Sequence, residues 1–183
     1  MLQLLYTKNK RKRLKAQTLK MTIIIVTGTP STGKTTAAKR ISEELGFQYI
    51  DGKKVIKDNN LIEGYDEKRK CDIIDEDKFV EKLLDIIRAA KRKNHSLVID
   101  SHMSHFLPKE EVDICLVTRC DLGELRKRLS EKRYEKGKVE ENLQCEIMDV
   151  CLEEAREKGH NIIVVDPAKK IDIEGIKKLI RKS

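Results

Sequence analysis

One short segment, residues 22–45, constrains the fold of this chain more than any other. Within it, residues 28–35 read Gly-Thr-Pro-Ser-Thr-Gly-Lys-Thr and match the pattern G-x-x-x-x-G-K-[ST]. The apolar run Thr22–Thr27 precedes this pattern, and an amphipathic segment, Gly33–Leu45, follows it. The order predicts a buried strand, a glycine-rich turn and a helix, which is the setting of a phosphate-binding loop.

The fixed positions of this loop each have a chemical reason. Gly28 and Gly33 let backbone N–H groups turn inward around a phosphate, and the positive end of the following helix favours an anion. Lys34 is predicted to reach the β- and γ-phosphates of ATP, and the Thr35 hydroxyl to bind Mg²⁺. The predicted ATP-binding residues of the loop are Gly28, Ser31, Gly33, Lys34, Thr35 and Thr36.

The rest of the chain alternates apolar, β-branched runs with helical patterns, which is typical of a three-layer α/β fold around a parallel sheet. After Thr22–Thr27, strands are predicted at Gln48–Asp51, Ser96–Asp100, Asp113–Thr118 and Asn161–Asp166. After Gly33–Leu45, helices are predicted at Glu76–Arg92, Asp121–Lys132, Val139–Lys158 and Asp172–Arg181. Two polar stretches, Gly52–Ile74 and Lys132–Lys138, fit neither pattern, and such insertions are often mobile lids.

A carboxylate at the end of a neighbouring strand is the second element that a Mg²⁺ site needs. The apolar run Leu97–Ile99 ends in Asp100, which predicts a metal-binding group beside the loop, although such a residue often only caps the next turn. His102 is a candidate to orient or deprotonate a water or hydroxyl near the γ-phosphate, or else a loop histidine bonded to the backbone. Of the other histidines, His105 is predicted to be structural, and His95 and His160 to lie on the surface or in turns.

Other motifs narrow the class of nucleotide-binding protein. The guanine-reading pattern N-K-x-D of GTPases does not occur, and AAA-type or helicase motors need a longer chain than 183 residues. A small nucleotide kinase or a compact ATPase switch remains. Kinases place cations around the transferred phosphoryl group. Arg128 and Lys132 lie one helical turn apart and lead into the second polar stretch, which makes them better candidates than Arg126, which is predicted to lie on a solvated helix face.

The formal net charge of +8 does not describe the body of the chain. Seven of the 39 Lys and Arg residues lie within residues 1–20, which contain no acidic residue, so residues 21–183 carry a charge of only +1. Three interpretations of the 1–20 tail stay open. It is an artefact of an upstream start codon with Met21 as the true first residue, a disordered basic arm that touches rRNA phosphates, or a localisation signal.

Hydropathy and cysteine usage bear on location. No run approaches the roughly 18 apolar residues of a membrane span, so no membrane contact is expected. The five cysteines show no C-x-x-C spacing and have apolar neighbours. They therefore indicate small core residues in a reducing compartment, and a cytoplasmic location is expected.

Several motifs together resemble one known family. They are the loop Gly28–Thr36, the acidic stretch Arg69–Asp77, Asp100-Ser-His102, Thr118-Arg-Cys-Asp121, and Glu141-Asn-Leu-Gln-Cys-Glu146. With these elements, the chain from Met21 onward is similar to adenylate kinase isoenzyme 6 and its archaeal relatives.

The resemblance implies a five-stranded fold of the nucleoside-monophosphate-kinase type, with the acceptor region at about 51–74 and the lid at about 131–141. It implies phosphoryl transfer from ATP to AMP or a related monophosphate, together with ATP hydrolysis served by Asp100 and His102. It also implies a role in late maturation of the small ribosomal subunit and its 16S rRNA, through transient binding of the ribosomal protein uS11.

The chain departs from the family pattern at three places. Ser31 stands where many relatives have glycine, which the loop should tolerate if the φ angle of Ser31 is negative. Lys132-Arg133-Tyr134 replaces Arg-Gly-Tyr. Lys132 sits where the lid arginine is expected, but whether Lys132 or Arg133 contacts ATP stays open. The tail 1–20 has no counterpart, which favours the start-codon interpretation.

Two functions therefore compete without excluding each other. The first is a monophosphate kinase whose lid closes to exclude water. The second is an ATPase assembly switch with negligible kinase activity, in which ATP holds the first insertion in the shape that a basic ribosomal protein binds. The acidic stretch 64–77 suits a basic partner better than an anionic acceptor.

Overall fold

The computed structural model describes residues 21–67 and 70–181. The predicted tail 1–20 lies outside the described residues. Within the described ranges, the main sheet has five strands, all paired in parallel, in the order β2-β5-β1-β6-β7. Its strands are β1 (Ile23–Thr27), β2 (Gln48–Asp51), β5 (Leu97–Asp100), β6 (Ile114–Thr118) and β7 (Ile162–Val165). The predicted α/β fold and all five predicted strands are confirmed.

Helices cover both faces of this sheet. They are α1 (Lys34–Leu45), α2 (Gly52–Asp58), α3 (Glu76–Arg92), α4 (Leu122–Glu131), α5 (Lys136–Ile147), α6 (Val150–Glu157) and α7 (Ile173–Ile180), with short 3-10 turns at Ser104–Phe106 and Lys109–Glu111. Alternate residues of β1 point to opposite faces: Ile23 and Ile25 pack with α3 and α6, and Ile24 and Val26 with α1 and α7. Both faces of the sheet are therefore shielded from water, which is why the central strands are unbroken apolar runs in the sequence.

The predicted single helix Val139–Lys158 is wrong: α5 and α6 are separate helices. Asp149 has a left-handed backbone conformation, with a φ of +55°, and its carbonyl accepts the N–H groups of Leu152 and Glu153 at the start of α6. Aspartate tolerates this conformation better than most residues, and helical periodicity alone does not reveal it. The break leaves Met148 exposed.

The first polar stretch is also more regular than predicted. It contains the helix α2 and a two-stranded antiparallel hairpin of β3 (Ile62–Asp66) and β4 (Cys71–Ile74). Of the second polar stretch, Lys136–Lys138 already belongs to α5. The helices α4 and α5 pack on each other through a small apolar cluster of their own, formed by Leu125, Leu129, Val139 and Leu143.

Residues 21–67 and 70–181 contain no helix that combines the length and the apolar character required to cross a membrane.

Candidate active site

The carboxyl ends of β1, β5 and β6 meet at one edge of the sheet, and the loop 28–33 crosses that edge. Gly28 has a φ of +135°, and a Cβ atom there would lie 2.5 Å from Thr118 Oγ1 and 2.6 Å from the Thr118 carbonyl oxygen. Only glycine fits, because the end of β6 approaches the loop backbone this closely.

Thr118 braces the loop from beneath. Its hydroxyl donates to the Thr27 carbonyl at 3.1 Å and lies 2.6 Å from the hydroxyl of Thr32, which in turn lies 2.8 Å from the Thr29 carbonyl. All four threonines are buried. Thr118 was predicted as a strand end and as the first residue of the motif Thr118-Arg-Cys-Asp121, but no local pattern reveals this contact across the sheet.

Lys34, the first residue of α1, reaches back over the loop. Its Nζ donates to the carbonyls of Gly28 at 2.8 Å and Thr29 at 2.9 Å. Burial is the main reason that the pKa of Lys34 falls to about 8, and the nearby charges of Lys53 and Lys132 lower it further. An ammonium group held this way is placed to exchange two carbonyl oxygens for phosphate oxygens.

Asp100 ends β5 and is 6% exposed. Its Oδ2 atom accepts hydrogen bonds from Thr35 Oγ1 at 2.6 Å and from the Tyr49 hydroxyl at 2.9 Å. Burial, followed by the hydrogen bond to Asp100, raises the pKa of Tyr49, so the phenol keeps its proton. The structure thus brings together the two predicted metal ligands, Thr35 and Asp100, and adds Tyr49, which the sequence argument missed.

A hydroxyl and a carboxylate are the hard oxygen donors that suit Mg²⁺. In the described ranges, no three His, Cys, Asp or Glu side chains form a cage for a metal ion. Mg²⁺ does not require one, because it commonly binds through one or two carboxylates together with phosphates and water. The pair Thr35 and Asp100 therefore fits Mg²⁺ better than it fits a structural metal.

His102 lies at the mouth of this site with an exposed side chain. Partial shielding from water, followed by the charge of Lys34, lowers the pKa of His102, and Lys53 and Lys138 act in the same direction. Its imidazole is therefore neutral at pH 7 and able to accept a proton. The His102 carbonyl accepts a hydrogen bond from Thr27 Oγ1 at 3.0 Å, which holds the backbone of this segment against the start of the loop.

The other histidines divide as follows. The structural role predicted for His105 is confirmed, since its buried ring lies 2.8 Å from Thr27 Oγ1 and 2.9 Å from Glu154 Oε2. His95 is exposed, as predicted. His160, predicted to lie on the surface or in a turn, directly follows a turn but is not on the surface, because it is 8% exposed and its Nε2 lies 2.8 Å from the His105 carbonyl. Its position after Gly159 resembles a turn, but the fold closes over it.

Cations from α4 and the following turn approach the loop. Arg128 binds Glu124 at 2.8 Å and donates to the Ser31 carbonyl at 3.4 Å. Lys132 is surface-exposed, yet partial burial and the charges of Lys53 and Arg128 lower its pKa. Arg133 is exposed, and its φ of +58° turns the chain from α4 towards α5. Arg126 pairs with Glu140 on the solvated helix face, as predicted.

Two further lysines act on the site and were missed by the sequence argument. The charge of Lys53 contributes to the lowered pKa of Lys34, His102 and Lys132, and the charge of Lys138 to that of His102. Lys53 lies two residues beyond the end of β2, which pairs with the end of β5. Its position just after a strand end was the available signal.

The expectation of a negative φ at Ser31 is wrong. Its φ is +72°, a conformation that costs a serine roughly 1–2 kcal/mol and explains why glycine suits this position. The Ser31 hydroxyl oxygen is buried and has no hydrogen-bond partner in the part of the chain that the structure describes. Buried hydroxyls are rarely left unpaired, so this one is suited to donate a hydrogen bond to an oxygen atom of a bound ligand.

Comparisons with known proteins agree with this geometry. Residues 24–149 match the family model described as an AAA domain. The chain is 37% identical over 141 residues to the adenylate kinase isoenzyme 6 homolog of Caenorhabditis elegans, covering 77% of this chain and 76% of that protein. It is 40% identical over 144 residues to the adenylate kinase isoenzyme 6 homolog FAP7 of Saccharomyces cerevisiae, covering 78% and 71%.

Among solved structures, shikimate kinase from Acinetobacter baumannii superposes with a TM-score of 0.54 at 14% identity, covering 90% of this chain and 93% of that one. At this identity the likeness concerns the fold alone. It shows that the parallel sheet and its flanking helices share the fold of that protein.

Proposed function

Because this chain belongs to the adenylate kinase isoenzyme 6 family, we propose that it transfers the γ-phosphoryl group of ATP to AMP or another nucleoside monophosphate. The observation that carries this proposal is the convergence of cations from three elements on one phosphate-binding loop. Lys34 comes from α1, Lys53 from α2, and Arg128 from α4. A site for ATP alone would not need a cation from the α2 side.

On the donor side, the loop 28–36 holds the phosphates of ATP through its backbone N–H groups and the Lys34 ammonium. Thr35 and Asp100 hold Mg²⁺, which when bound offsets the negative charge of the β- and γ-phosphates. Arg128 is fixed by Glu124 and by the loop itself, so it stabilises charge that develops on the transferred group.

On the acceptor side, Lys53 supplies the positive charge for the phosphate of the monophosphate, within the region at about 51–74. Lys132 and Lys138 face the same space from the lid at about 131–141, as their effects on neighbouring pKa values indicate. Closure of this lid excludes water and so favours transfer to the monophosphate over hydrolysis.

Stoichiometry provides the test. Transfer to AMP yields two ADP per ATP without inorganic phosphate, whereas hydrolysis yields one ADP and one phosphate. We expect ADP formation in excess of phosphate when AMP is added, and a comparison with GMP, CMP and UMP gives the preferred acceptor. Lys53→Ala should raise the KM for AMP about tenfold or more with little effect on the KM for ATP.

Lys57→Ala is the matched control, because Lys57 is an exposed lysine on the same short helix and should leave both KM values unchanged. The kinase proposal is contradicted if AMP produces no ADP beyond that accounted for by released phosphate.

Hydrolysis of ATP is the companion activity that we assign to Asp100 and His102. His102 is neutral, lies two residues beyond the metal-binding carboxylate, and keeps an exposed imidazole at the mouth of the site. Such a group can orient a water molecule towards the γ-phosphate and accept its proton.

An ATPase assembly switch is the second candidate function, favoured by the hairpin of β3 and β4. Three of its apolar side chains, Ile62, Tyr65 and Ile73, are about half exposed, at 48%, 51% and 49%. They lie among carboxylates such as Glu63 and Asp72. Exposed apolar groups beside acidic ones suit a basic protein partner, and we propose uS11 of the maturing small subunit for this role.

For this candidate we expect a Tyr65→Ser, Ile73→Ser double variant to bind purified uS11 at least tenfold more weakly than wild type, while ATP turnover without uS11 stays unchanged. Ile147→Ser with Met148→Ser is the control, since these two residues form an even more exposed apolar pair, at 60% and 71%, outside the hairpin. The affinity for uS11 is then measured with ATP bound and with ADP bound. An affinity that is the same in both nucleotide states argues against a switch.

A further inference from the structure

Tyr49 lies outside the phosphate-binding loop and outside the lid, yet it touches the centre of the site. It belongs to β2, whose neighbour β5 ends in Asp100. The phenol hydroxyl donates to Asp100 Oδ2 at 2.9 Å, and the hydroxyl of Thr35 donates to the same oxygen at 2.6 Å. Within the described residues, no group donates to the other carboxylate oxygen, Oδ1.

This division of the two oxygens has a consequence for the carboxylate. A side chain that accepted only the Thr35 hydrogen bond would remain free to rotate about its terminal bond and to exchange its oxygens. A second donor, on a different strand and on a ring that is itself partly buried, restricts this rotation. Oδ1 is thereby kept available for the metal or for a metal-bound water.

We propose that Tyr49 is a positioning residue that acts through Asp100 to set the affinity of the nucleotide site for Mg²⁺. This inference rests on the proposed nucleotide-binding function and adds a residue to it. Groups that orient a metal ligand typically change metal affinity or activity by about 10–100-fold when removed. The ring of Tyr49 also lies under Lys39, whose Nζ is 5.6 Å from the ring centroid, and this contact survives removal of the hydroxyl.

The test compares ADP binding in the presence of Mg²⁺ with ADP binding in EDTA. Tyr49→Phe keeps the ring and its packing and deletes only the hydroxyl. We expect it to weaken ADP binding about tenfold in Mg²⁺ and to leave ADP affinity in EDTA within about twofold of wild type. Ser42→Ala is the matched control, because it deletes another shielded hydroxyl, one on α1 that donates to the Lys39 carbonyl at 2.8 Å, and it should change neither affinity.

A double-mutant cycle then asks whether Tyr49 works through Asp100. Asp100→Asn should show the same metal-dependent loss, and adding Tyr49→Phe to it should cost nothing more. Equal losses of ADP affinity with and without Mg²⁺, additive losses in the cycle, or no loss at all would each overturn the proposal. Lys34→Ala distinguishes failure of the Tyr49 proposal from failure of the proposed nucleotide site. If Lys34→Ala abolishes ADP binding while Tyr49→Phe has no effect, only the role of Tyr49 is wrong. If Lys34→Ala leaves ADP binding intact, the assignment of the nucleotide site is wrong.

Discussion

Replacing Lys34 with alanine is expected to lower kcat/KM for ATP by about 10²–10³-fold. The Lys34 ammonium is the cation nearest to the loop, bound to the Gly28 and Thr29 carbonyls at 2.8 and 2.9 Å. Charge that grows on the transferred phosphoryl group is stabilised by such preorganised donors, and loss of one typically has an effect of this size. Steady-state turnover at varied ATP concentration gives the value.

The control and the pH dependence make this result specific. Arg40→Ala removes an exposed cation from the same helix and should leave turnover unchanged. In the nucleotide-free protein, the pKa of Lys34 is lowered to about 8. Its side chain is therefore a charged ammonium group below that pH and a neutral amine above it. Nucleotide affinity should therefore decrease as pH rises through about 8, and Lys34→Ala should remove this decrease. Turnover that survives Lys34→Ala would refute the assignment of the site.

Gly28→Ala is expected to destabilise the fold by about 2–5 kcal/mol. The added methyl group would lie 2.5 Å from Thr118 Oγ1 and 2.6 Å from the Thr118 carbonyl, and the φ of +135° is itself strained for alanine. A strained conformation costs about 1–3 kcal/mol, and overpacking in a close-packed region adds a similar amount. Urea unfolding followed by circular dichroism measures the difference.

Gly137→Ala serves as the comparison for this substitution. Gly137 lies in the first turn of α5, and no atom lies within 4 Å of the position that its Cβ would take. Alanine there should raise stability by about 0.4–1 kcal/mol through the entropy of the unfolded chain. Similar effects of the two substitutions would mean that the end of β6 does not press against the loop.

The Gly28→Ala prediction depends on a contact between segments far apart in the chain, and such contacts could not be predicted from the sequence. The three central strands β5, β1 and β6 were predicted because each is buried on both faces and is apolar along almost its whole length, for example at Ile23–Val26 and Leu97–Ile99. The break at Asp149 and the hairpin of β3 and β4 were missed. A single left-handed residue and a half-exposed hairpin leave little trace in periodicity.

The residues of the candidate site also fall into two groups, those that the sequence predicts and those that only the fold brings together. Gly28, Gly33, Lys34 and Thr35 were predicted because their chemistry is local: one short loop and the first turn of a helix supply every group, so their spacing in sequence is their spacing in space. Asp100 could be predicted because the ends of parallel strands meet at one edge of the sheet. These residues, the α/β class and the positions of the five sheet strands along the chain are what the sequence by itself determined.

The tertiary structure decided which distant side chains complete the site. Thr118 meets Gly28, Tyr49 meets Asp100, and the charge of Lys53 acts on Lys34 only because β2, β5, β1 and β6 lie side by side in an order that differs from their order in the chain. It also decided that Ser31 takes a positive φ. Charge and polarity along a sequence do not specify such contacts, because they depend on the register and neighbours of each strand.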